Sequence, residues 1–509
     1  MSRYDCYAII IGAGHNGLVA AAYLAKQGKK VLVLERRAVV GGSAVTESFG
    51  DGFTVDSVQT GGTLRPDIIK DLQLALPTVK GKSAFISLQP DGNHLTLDAE
   101  SIKRFSEKDA ARWPDFVRFM DKAAYILDVA YSAIMPRLGT LPRLPKNFSL
   151  QEGFGLFELG LELRLAGRKD MLHFIRALPM TAQELLEEYF ESEVVKAAIA
   201  AVAIHGHTLG PMEAGTGYTL IHNWMNRGGL TPLRLPPFSE KMGGEKEGGV
   251  GGITSALANA VKVFGGEIRT EAEVTSIKVE RQVAKGVVLA NGEEIEANTI
   301  ISAADPKHTL LKLVGARELP PEFVWKVQSI KMRGSVAKVH LKTNGEHGIS
   351  EGTVILAPSI KYLEKAYDAA KYGEISEKPY LEVTISGNTM SIHFQFAPYA
   401  LKNGNWNSHR AKLEDLAINT LAEYFPNLKS SILNRKSITP LDLEQTYGLT
   451  EGDLNHGQLL LDQFLFMRPI PGWSNHKTPI DNLYLCGSGV HGGGGVSGAA
   501  GRNVVKVFK

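Results

Sequence analysis

Residues Tyr4–Glu35, YDCYAIIIGAGHNGLVAAAYLAKQGKKVLVLE, leave few folds open to this chain. A short β-type run, Tyr7–Ile11, enters Gly12-Ala13-Gly14-His15-Asn16-Gly17. An Ala-rich helical run follows, and after Gly28 a second apolar run, Val31–Leu34, ends on Glu35. The glycines have separate mechanical tasks: Gly12 permits a tight turn, Gly14 lets a pyrophosphate come up to the backbone, and Gly17 lets the helix lie close on the strand. Unpaired N–H groups where the helix starts, around His15 and Asn16, add partial positive charge facing the phosphates. Glu35 stands where an acid accepts hydrogen bonds from an adenosine ribose, which favours FAD or NAD over NADP. A glycine turn alone would be weak evidence; the strand before it, the helix after it and the acid at the second strand's end together predict a dinucleotide site.

The other bounds are ordinary. With 509 residues, 44% hydrophobic and 22% charged, the chain has the make-up of a globular enzyme of two or more structural units. A net charge of +2 without a basic tract gives no reason to expect nucleic acid. Cys6 and Cys486 are the only cysteines, which excludes a disulfide scaffold, a C-x-x-C redox pair and a cysteine zinc site. Ala8–Ala25 is long and nearly uncharged, but glycines, His15 and Asn16 in its middle argue for strand, turn and helix rather than a membrane span. A cytoplasmic or matrix-like location is expected, with peripheral contact at a membrane surface left open.

Beyond Glu35, Arg36-Arg37 and Gly41-Gly42-Ser43 fit a second loop along the same dinucleotide, with arginine offsetting phosphate charge. NAD-dependent dehydrogenases do not generally need this second glycine contact, so FAD gains. Residues 57–65, SVQTGGTLR, are small and polar, a pocket lining or a surface loop. Ser83–Leu97 reads as a hairpin. Ser106-x-x-Asp109 reads as a capping box that opens a long helix reaching about Met135. Pro136, Pro142 and Pro145 break that pattern, and Phe148–Ala203 is helix-like again, with a second capping box at Thr181-x-x-Glu184. His205-Gly206-His207 and Gly215-Thr216-Gly217-Tyr218 read as loops that offer polar groups to a substrate cavity; no acid or cysteine spacing completes a metal site there.

Gly248–Gly252 precedes a helix expected over Ile253–Phe264, but a charged stretch and not a strand leads into it, so a second nucleotide site is not expected. Glu273–Val279, Lys285–Leu289 and Glu294–Ile295 alternate as a small meander with Asn291-Gly292 as a hairpin turn, and Thr299–Ser302 reads as a separate buried strand. By analogy with flavoprotein folds, Val274 would present backbone atoms to the adenine. Strand-like runs at Val336–Leu341, Thr353–Leu356, Tyr380–Ile385 and Met390–Phe396, with a helix at about His409–Tyr424, predict a mixed sheet domain.

The C-terminus pairs with the first motif. Asn482–Cys486 is a strand, Gly487-Ser488-Gly489 a turn, and His491 precedes four glycines, Gly492–Gly495, that lead into a helix expected over Val496–Phe508. A helix N-terminus beside the pyrimidine edge of a flavin would stabilise the negative charge of the reduced ring.

Together GAGHNG, LERR, GGSAVTE, GGVGGITSALANA, LDQFLFMRPIPGW and NLYLCGSGVHGGGGVSGAAGRN make the chain resemble the phytoene desaturase-like FAD-dependent oxidoreductases. Within them it is similar to the branch of mitochondrial pyridine nucleotide-disulphide oxidoreductase domain proteins and their bacterial relatives. The resemblance covers almost the whole chain and departs from the family at His491-Gly492, where His-Pro is common. It implies an α/β fold: a Rossmann-type, glutathione-reductase-like FAD domain from segments 1–75, 245–306 and 470–509, and a mixed sheet and helical substrate domain from 76–244 and 307–469. It implies FAD held by Gly12, Gly14, Asn16, Gly17 and Gly42, by Glu35 at the ribose, by Val274 at the adenine, and by Gly487, Ser488, Gly494, Gly495 and Val496 toward the flavin.

The implied reaction moves a hydride between a lipophilic, unsaturated small molecule and flavin N5, with a quinone or O2 as acceptor. His491, then His205, are the candidate catalytic groups; no metal is expected, and a homodimer stays open. Amine oxidation, carotenoid ketolation or isomerisation, and polyene saturation stand as alternatives on the same fold. So do a flavin-bound assembly factor with little turnover and a nicotinamide-dependent dehydrogenase.

Overall fold

The computed structural model describes residues 6–50, 52–60, 62–76, 84–135, 150–165, 167–227 and 249–507. Pro136, Pro142 and Pro145, the stretch 241–248, Gly61, Ser83 and Phe508, on which parts of the sequence reading fell, lie outside those residues.

Five strands form a parallel sheet in the order Glu267–Arg269, Val31–Leu34, Cys6–Ile11, Glu294–Ser302, Leu483–Leu485. Strands covered on both faces must be apolar throughout, and the two at Cys6–Ile11 and Val31–Leu34 are: Ile9, Ile11, Leu32 and Leu34 enter one core, while Ala8, Ile10, Val31 and Val33 enter another. Helices His15–Lys26, Val250–Val263 and Ala499–Lys506 cover the second of these faces. The meander is present as Val274–Glu280 and Val283–Leu289, and its third strand is continuous with the expected separate one: Glu294–Ser302 pairs with the meander at one end and with the parallel sheet at the other.

Both flanking helices start elsewhere than the glycine pattern suggests. The first begins at Val250, with Gly251 and Gly252 in its opening turn, because the Asp56 carboxylate accepts from Val250 N–H at 3.2 Å and so occupies the helix N-terminus. The last begins at Ala499, not Val496, after left-handed turns at Gly494, Gly495 and Gly498 (φ +108°, +66° and +76°) that cannot continue a right-handed helix. The glycine run is therefore a turn, and the helix behind it docks on the first motif, with Gly501 N–H donating to Asn16 Oδ1 at 3.3 Å.

A second sheet runs Ile432–Ile438, Val336–Thr343, Thr389–Gln395, Leu381–Ser386, Gly352–Ile355, Ala84–Ser87, Leu95–Thr96, antiparallel except between Gly352–Ile355 and Ala84–Ser87. Its three central strands alternate strictly. Ala337, Val339, Leu341, Val383, Ile385, Ile392 and Phe394 pack with Leu413, Ala417 and Leu421 of helix Trp406–Ala422. Lys338, His340, Glu382, His393 and Gln395 lie on the opposite face, and all five are buried. An antiparallel sheet with one polar face usually gives that face to water; here the rest of the molecule covers it.

A helical layer joins the sheets. Glu107–Ser132, Ala182–Glu187, Glu193–Ile204 and Thr216–Arg227 share a core through Phe116, Leu127, Leu185, Ile199, Ile221 and Trp224. The Thr181/Glu184 capping box is complete. At the other expected box Ser106 caps Asp109 N–H, but the Asp109 carboxylate turns to the backbone N–H groups of Glu191 and Ser192 instead. Helix Thr216–Arg227 replaces the loop expected at 215–218. Gly217 stands against the carbonyl oxygens of Ala177 and Met180, where a Cβ would collide, so close packing and not a turn accounts for the glycine. No helix among the described residues is long and apolar enough to cross a membrane.

Candidate functional site

Two large cavities meet the C-terminal turn. The first, of about 980 Å³, follows the opening motif: Gly12, Gly14, His15, Asn16, Glu35, Arg36, Gly41, Gly42, Ser43, Val274 and Ser488 all line it. Its geometry suits a dinucleotide. An added Cβ on Gly14 would meet nothing within 4 Å, so the backbone there is open to a ligand, and one on Gly42 would come within 3.3 Å of Gly14 Cα, so the two glycine turns abut. Helix His15–Lys26 has Gly14 as its N-cap with no side-chain cap, and that end faces the cavity. His15 Nε2 and His456 Nδ1, both in the wall, have no hydrogen-bond partner among the described residues. Burial, with His456 nearby, lowers the His15 pKa to about 4, so the ring is neutral.

Glu35 has a second task that the sequence does not reveal. Its carboxylate accepts from Ala13 N–H at 2.8 Å and from Arg37 N–H at 3.0 Å, and so ties the glycine turn to the end of the second strand. Lone pairs remain on both oxygens for a ribose. The Arg36 guanidinium donates to the carbonyls of Gln445 and Thr446, and Arg37 pairs with Glu47 beneath Tyr447, so part of the basic pair's charge goes to closing this wall. Gly17 and Gly487 do not line the cavity. They permit contact behind it, Gly17 against the Gly12 carbonyl and Gly487 within 2.6 Å of the Ala303 carbonyl if each carried a Cβ.

The second cavity, of about 850 Å³, lies where Gly495 and Val496 meet the polar face of the second sheet. Gln59, Thr60 and Gly62 line it, so 57–65 is a pocket lining rather than a surface loop. His205 is in its wall, its Nδ1 3.0 Å from Glu382 Oε2 and its ring stacked on His393 at 4.0 Å. Sequence reading missed Lys338, Glu382, His393, His222, Asn223 and Asn226, which share the wall. The first three come from adjacent strands in register, Lys338 opposite His393 and His393 opposite Glu382. The signal available in the sequence was the alternation in VAKVHLK, LEVTIS and TMSIHFQ, which puts charged and imidazole groups on one face.

His222 and Asn226 explain the glycine run. A Cβ on Gly494 would fall 2.8 Å from His222, and one on Gly495 would fall 2.7 Å from Asn226. Gly494 thus packs against the helix without lining a cavity. Asn226 Nδ2 is 2.9 Å from His222 Nε2, His222 Nδ1 is 2.8 Å from the Tyr131 hydroxyl, and that hydroxyl is 2.5 Å from Tyr218's. Burial holds His222 neutral and pushes the pKa of Tyr218 up to about 12.

His491, the first catalytic candidate, reaches neither cavity. It is fully buried, with Nε2 bonded to the Ala130 carbonyl at 3.0 Å, and serves to hold the turn against helix Glu107–Ser132. Gly492 has φ +76°, which a proline cannot adopt.

Comparison with known proteins places these features in context. The profile of the flavin containing amine oxidoreductases matches residues 17–502. Pyridine nucleotide-disulfide oxidoreductase domain-containing protein 2 of Rattus norvegicus is 31% identical over 99% of this chain and 93% of its own. A phytoene desaturase (lycopene-forming) of Pantoea ananas is 24% identical over 97% of this chain and 96% of its own. A solved oxidoreductase from Methanosarcina mazei shares the fold, with a TM-score of 0.59 and 18% identity over 99% of this chain and 100% of that one.

Proposed function

We propose a function from one premise: the chain belongs to the flavin containing amine oxidoreductase family and is an FAD-dependent oxidoreductase. It takes a hydride from a C–H bond of a small molecule held in the cavity walled by His205, Lys338, Glu382 and His393. The observation that carries this reading is the turn Gly487–Val496: Ser488 lines the dinucleotide cavity while Gly495 and Val496 line the other, so one short turn borders both.

FAD, when bound, supplies the two-electron acceptor at N5. The opening motif, Gly41–Ser43 and Glu35 hold its adenosine and phosphates, with Val274 at the adenine end, and Gly495 and Val496 border its flavin end. His205 takes the proton released from the substrate. The Glu382 carboxylate, 3.0 Å from Nδ1, stabilises the imidazolium that forms. Neutral His207 and His222 add no competing charge beside it. A quinone or O2 accepts the electrons in the second half-reaction.

An unsaturated lipophilic substrate has the name of the Pantoea ananas relative in its favour. The number of polar groups in the wall weighs against a bare hydrocarbon. Purified protein followed anaerobically in the visible range, while polyenes, amines, hydroxylated acids and NAD(P)H are added, tests the reading. Bleaching of the flavin by one of the first three classes supports it; a flavin that only NAD(P)H reduces overturns it.

A further inference from the structure

From the two stretches of chain that border both cavities, we infer that Arg468 is a positioning residue for the flavin and sets its electron affinity: the buried guanidinium pins the two stretches together and supplies a positive charge that favours the reduced ring. This rests on the reading that FAD lies along the turn Gly487–Val496.

Three observations support it. The first is a clamp. Besides that turn, a second stretch touches both cavities, Leu454 and Asn455 lining the substrate cavity and His456 the dinucleotide cavity. One nitrogen of Arg468 joins the two: Nη2 donates to the Asn455 carbonyl at 2.7 Å and to the Ser488 carbonyl at 2.8 Å. Nη1 donates to the carbonyls of Gly457, Gln458 and Gln463 at 3.0, 3.3 and 3.2 Å. The planar fork thus fixes 455–458 against the turn, while Arg468 itself lines neither large cavity.

The second is an uncompensated charge. Arg468 is 3% exposed, and among the described residues no carboxylate forms an ion pair with it. Its Nε has no hydrogen-bond partner among them either. Asp453 acts on it from beyond contact, but that carboxylate is taken up by the N–H groups of Asn455, Gly457 and Arg333. A buried cation that faces carbonyl dipoles alone is costly, and an anion formed nearby stabilises it. Hydride transfer forms one, since the hydride brings the flavin an electron pair and one unit of negative charge. The charge of Arg468 reaches both cavities: burial lowers the pKa of His207 and His222 in one wall and of His456 in the other, and Arg468 adds to the shift in all three.

The third is a vacated role. The sequence assigns the stabilisation of the reduced ring to a helix N-terminus at Val496, but that helix begins at Ala499 and docks on the opening motif through Gly501 N–H and Asn16. Other cations in the cavity walls stand elsewhere, Arg36 and Arg37 beside Glu35, and Lys338 on the sheet floor. Arg468 is the cation bonded to the turn.

The test is the midpoint potential of bound FAD, measured by anaerobic titration against a reference dye in wild type, Arg468→Gln and Arg468→Lys. Arg468→Gln keeps donors but removes the charge, and should disfavour reduction at least tenfold, a fall of about 30 mV for the two-electron couple. Arg468→Lys keeps the charge and gives up the fork, and should shift the same equilibrium less than threefold. FAD affinity should fall in both variants as the clamp is lost. A potential unchanged in Arg468→Gln, or equal falls in the two variants, overturns the inference and leaves the proposed oxidoreductase standing. Should Arg468→Gln release its FAD, Asp453→Asn decides: with the opposing carboxylate neutralised and the guanidinium in place the potential should rise, and an unchanged or lower value overturns the inference. Wild-type protein that takes up no FAD removes the reading of the cavity itself.

Discussion

At the scale of single residues, His205 and Glu382 divide one task. A positioned base is worth roughly 10²–10⁴ in rate, so His205→Asn should slow anaerobic flavin reduction by that order while leaving the flavin bound. Glu382→Gln keeps the shape but removes the charge 3.0 Å from Nδ1; a fall of about tenfold is expected, with the pH profile displaced to lower pH, as a histidine without its carboxylate gives up its proton more readily and is the neutral base at lower pH. Stopped-flow reduction across pH checks both, and equal rates in wild type and His205→Asn would remove the proton-acceptor assignment. Gly495 tests the cofactor side. Its φ of +66° and the 2.7 Å approach of Asn226 to an added Cβ mean that Gly495→Ala strains the backbone and displaces the Asn226 carboxamide together. Retained FAD, measured by fluorescence on release, should drop at least tenfold in affinity, about 1.4 kcal/mol.

At the scale of elements, the sequence was most legible where one side-chain pattern admits one backbone. The Cys6–Ile11 strand, the His15–Lys26 helix and Val31–Leu34 stand where the glycine spacing requires them, and eleven of the expected cofactor-site residues line one cavity. It was least legible where glycine serves packing. Gly215 and Gly217 read as a loop because nothing in the sequence announces the carbonyls of Ala177 and Met180, yet those contacts admit a helix only if position 217 lacks a Cβ. The Gly492–Gly495 run likewise answers to His222, Asn226 and the Tyr131 carbonyl, partners far away in the chain. The catalytic candidates divided on the same ground: both histidines stand near glycines, and only the tertiary fold turns His205 to the cavity and His491 to the Ala130 carbonyl. Gly217→Ala should therefore destabilise the helical layer by about 1–3 kcal/mol, the range for forcing a methyl into a packed site. Because this helix carries His222 and Asn226, flavin affinity should fall along with thermal stability. A variant as stable as wild type would show that the helix can move off Ala177.

At the scale of the whole molecule, the buried histidines make stability depend on pH in one direction. His340 and His476 line neither large cavity, and burial lowers them to about 3 and about 4. His207 and His15, in the cavity walls, are lowered to about 3 and about 4 for the same reason. Each stays neutral in the fold while the unfolded chain titrates at about 6.5, so below that pH the unfolded state binds protons that the native state refuses. Their contribution is intact above about pH 6.5 and is lost as pH falls toward the folded values. By about pH 5.5 each has forfeited roughly 1.4 kcal/mol, and the four together about 5.6 kcal/mol, comparable with the whole stability of many proteins. Asp56 works against this trend: burial raises its pKa to about 6, so acid relieves a strained carboxylate, which returns only about 1 kcal/mol over the same interval. The melting temperature of the FAD-loaded protein should thus be level near neutrality and fall steeply between about pH 6.5 and pH 5. The His476→Asn variant, weaker at neutral pH for want of the 3.0 Å bond from Nδ1 to the Leu485 carbonyl, should show a shallower fall. Equal slopes in the two proteins would mean that His476 ionises within the fold, and that its buried, unpartnered Nε2 finds a proton acceptor on acidification.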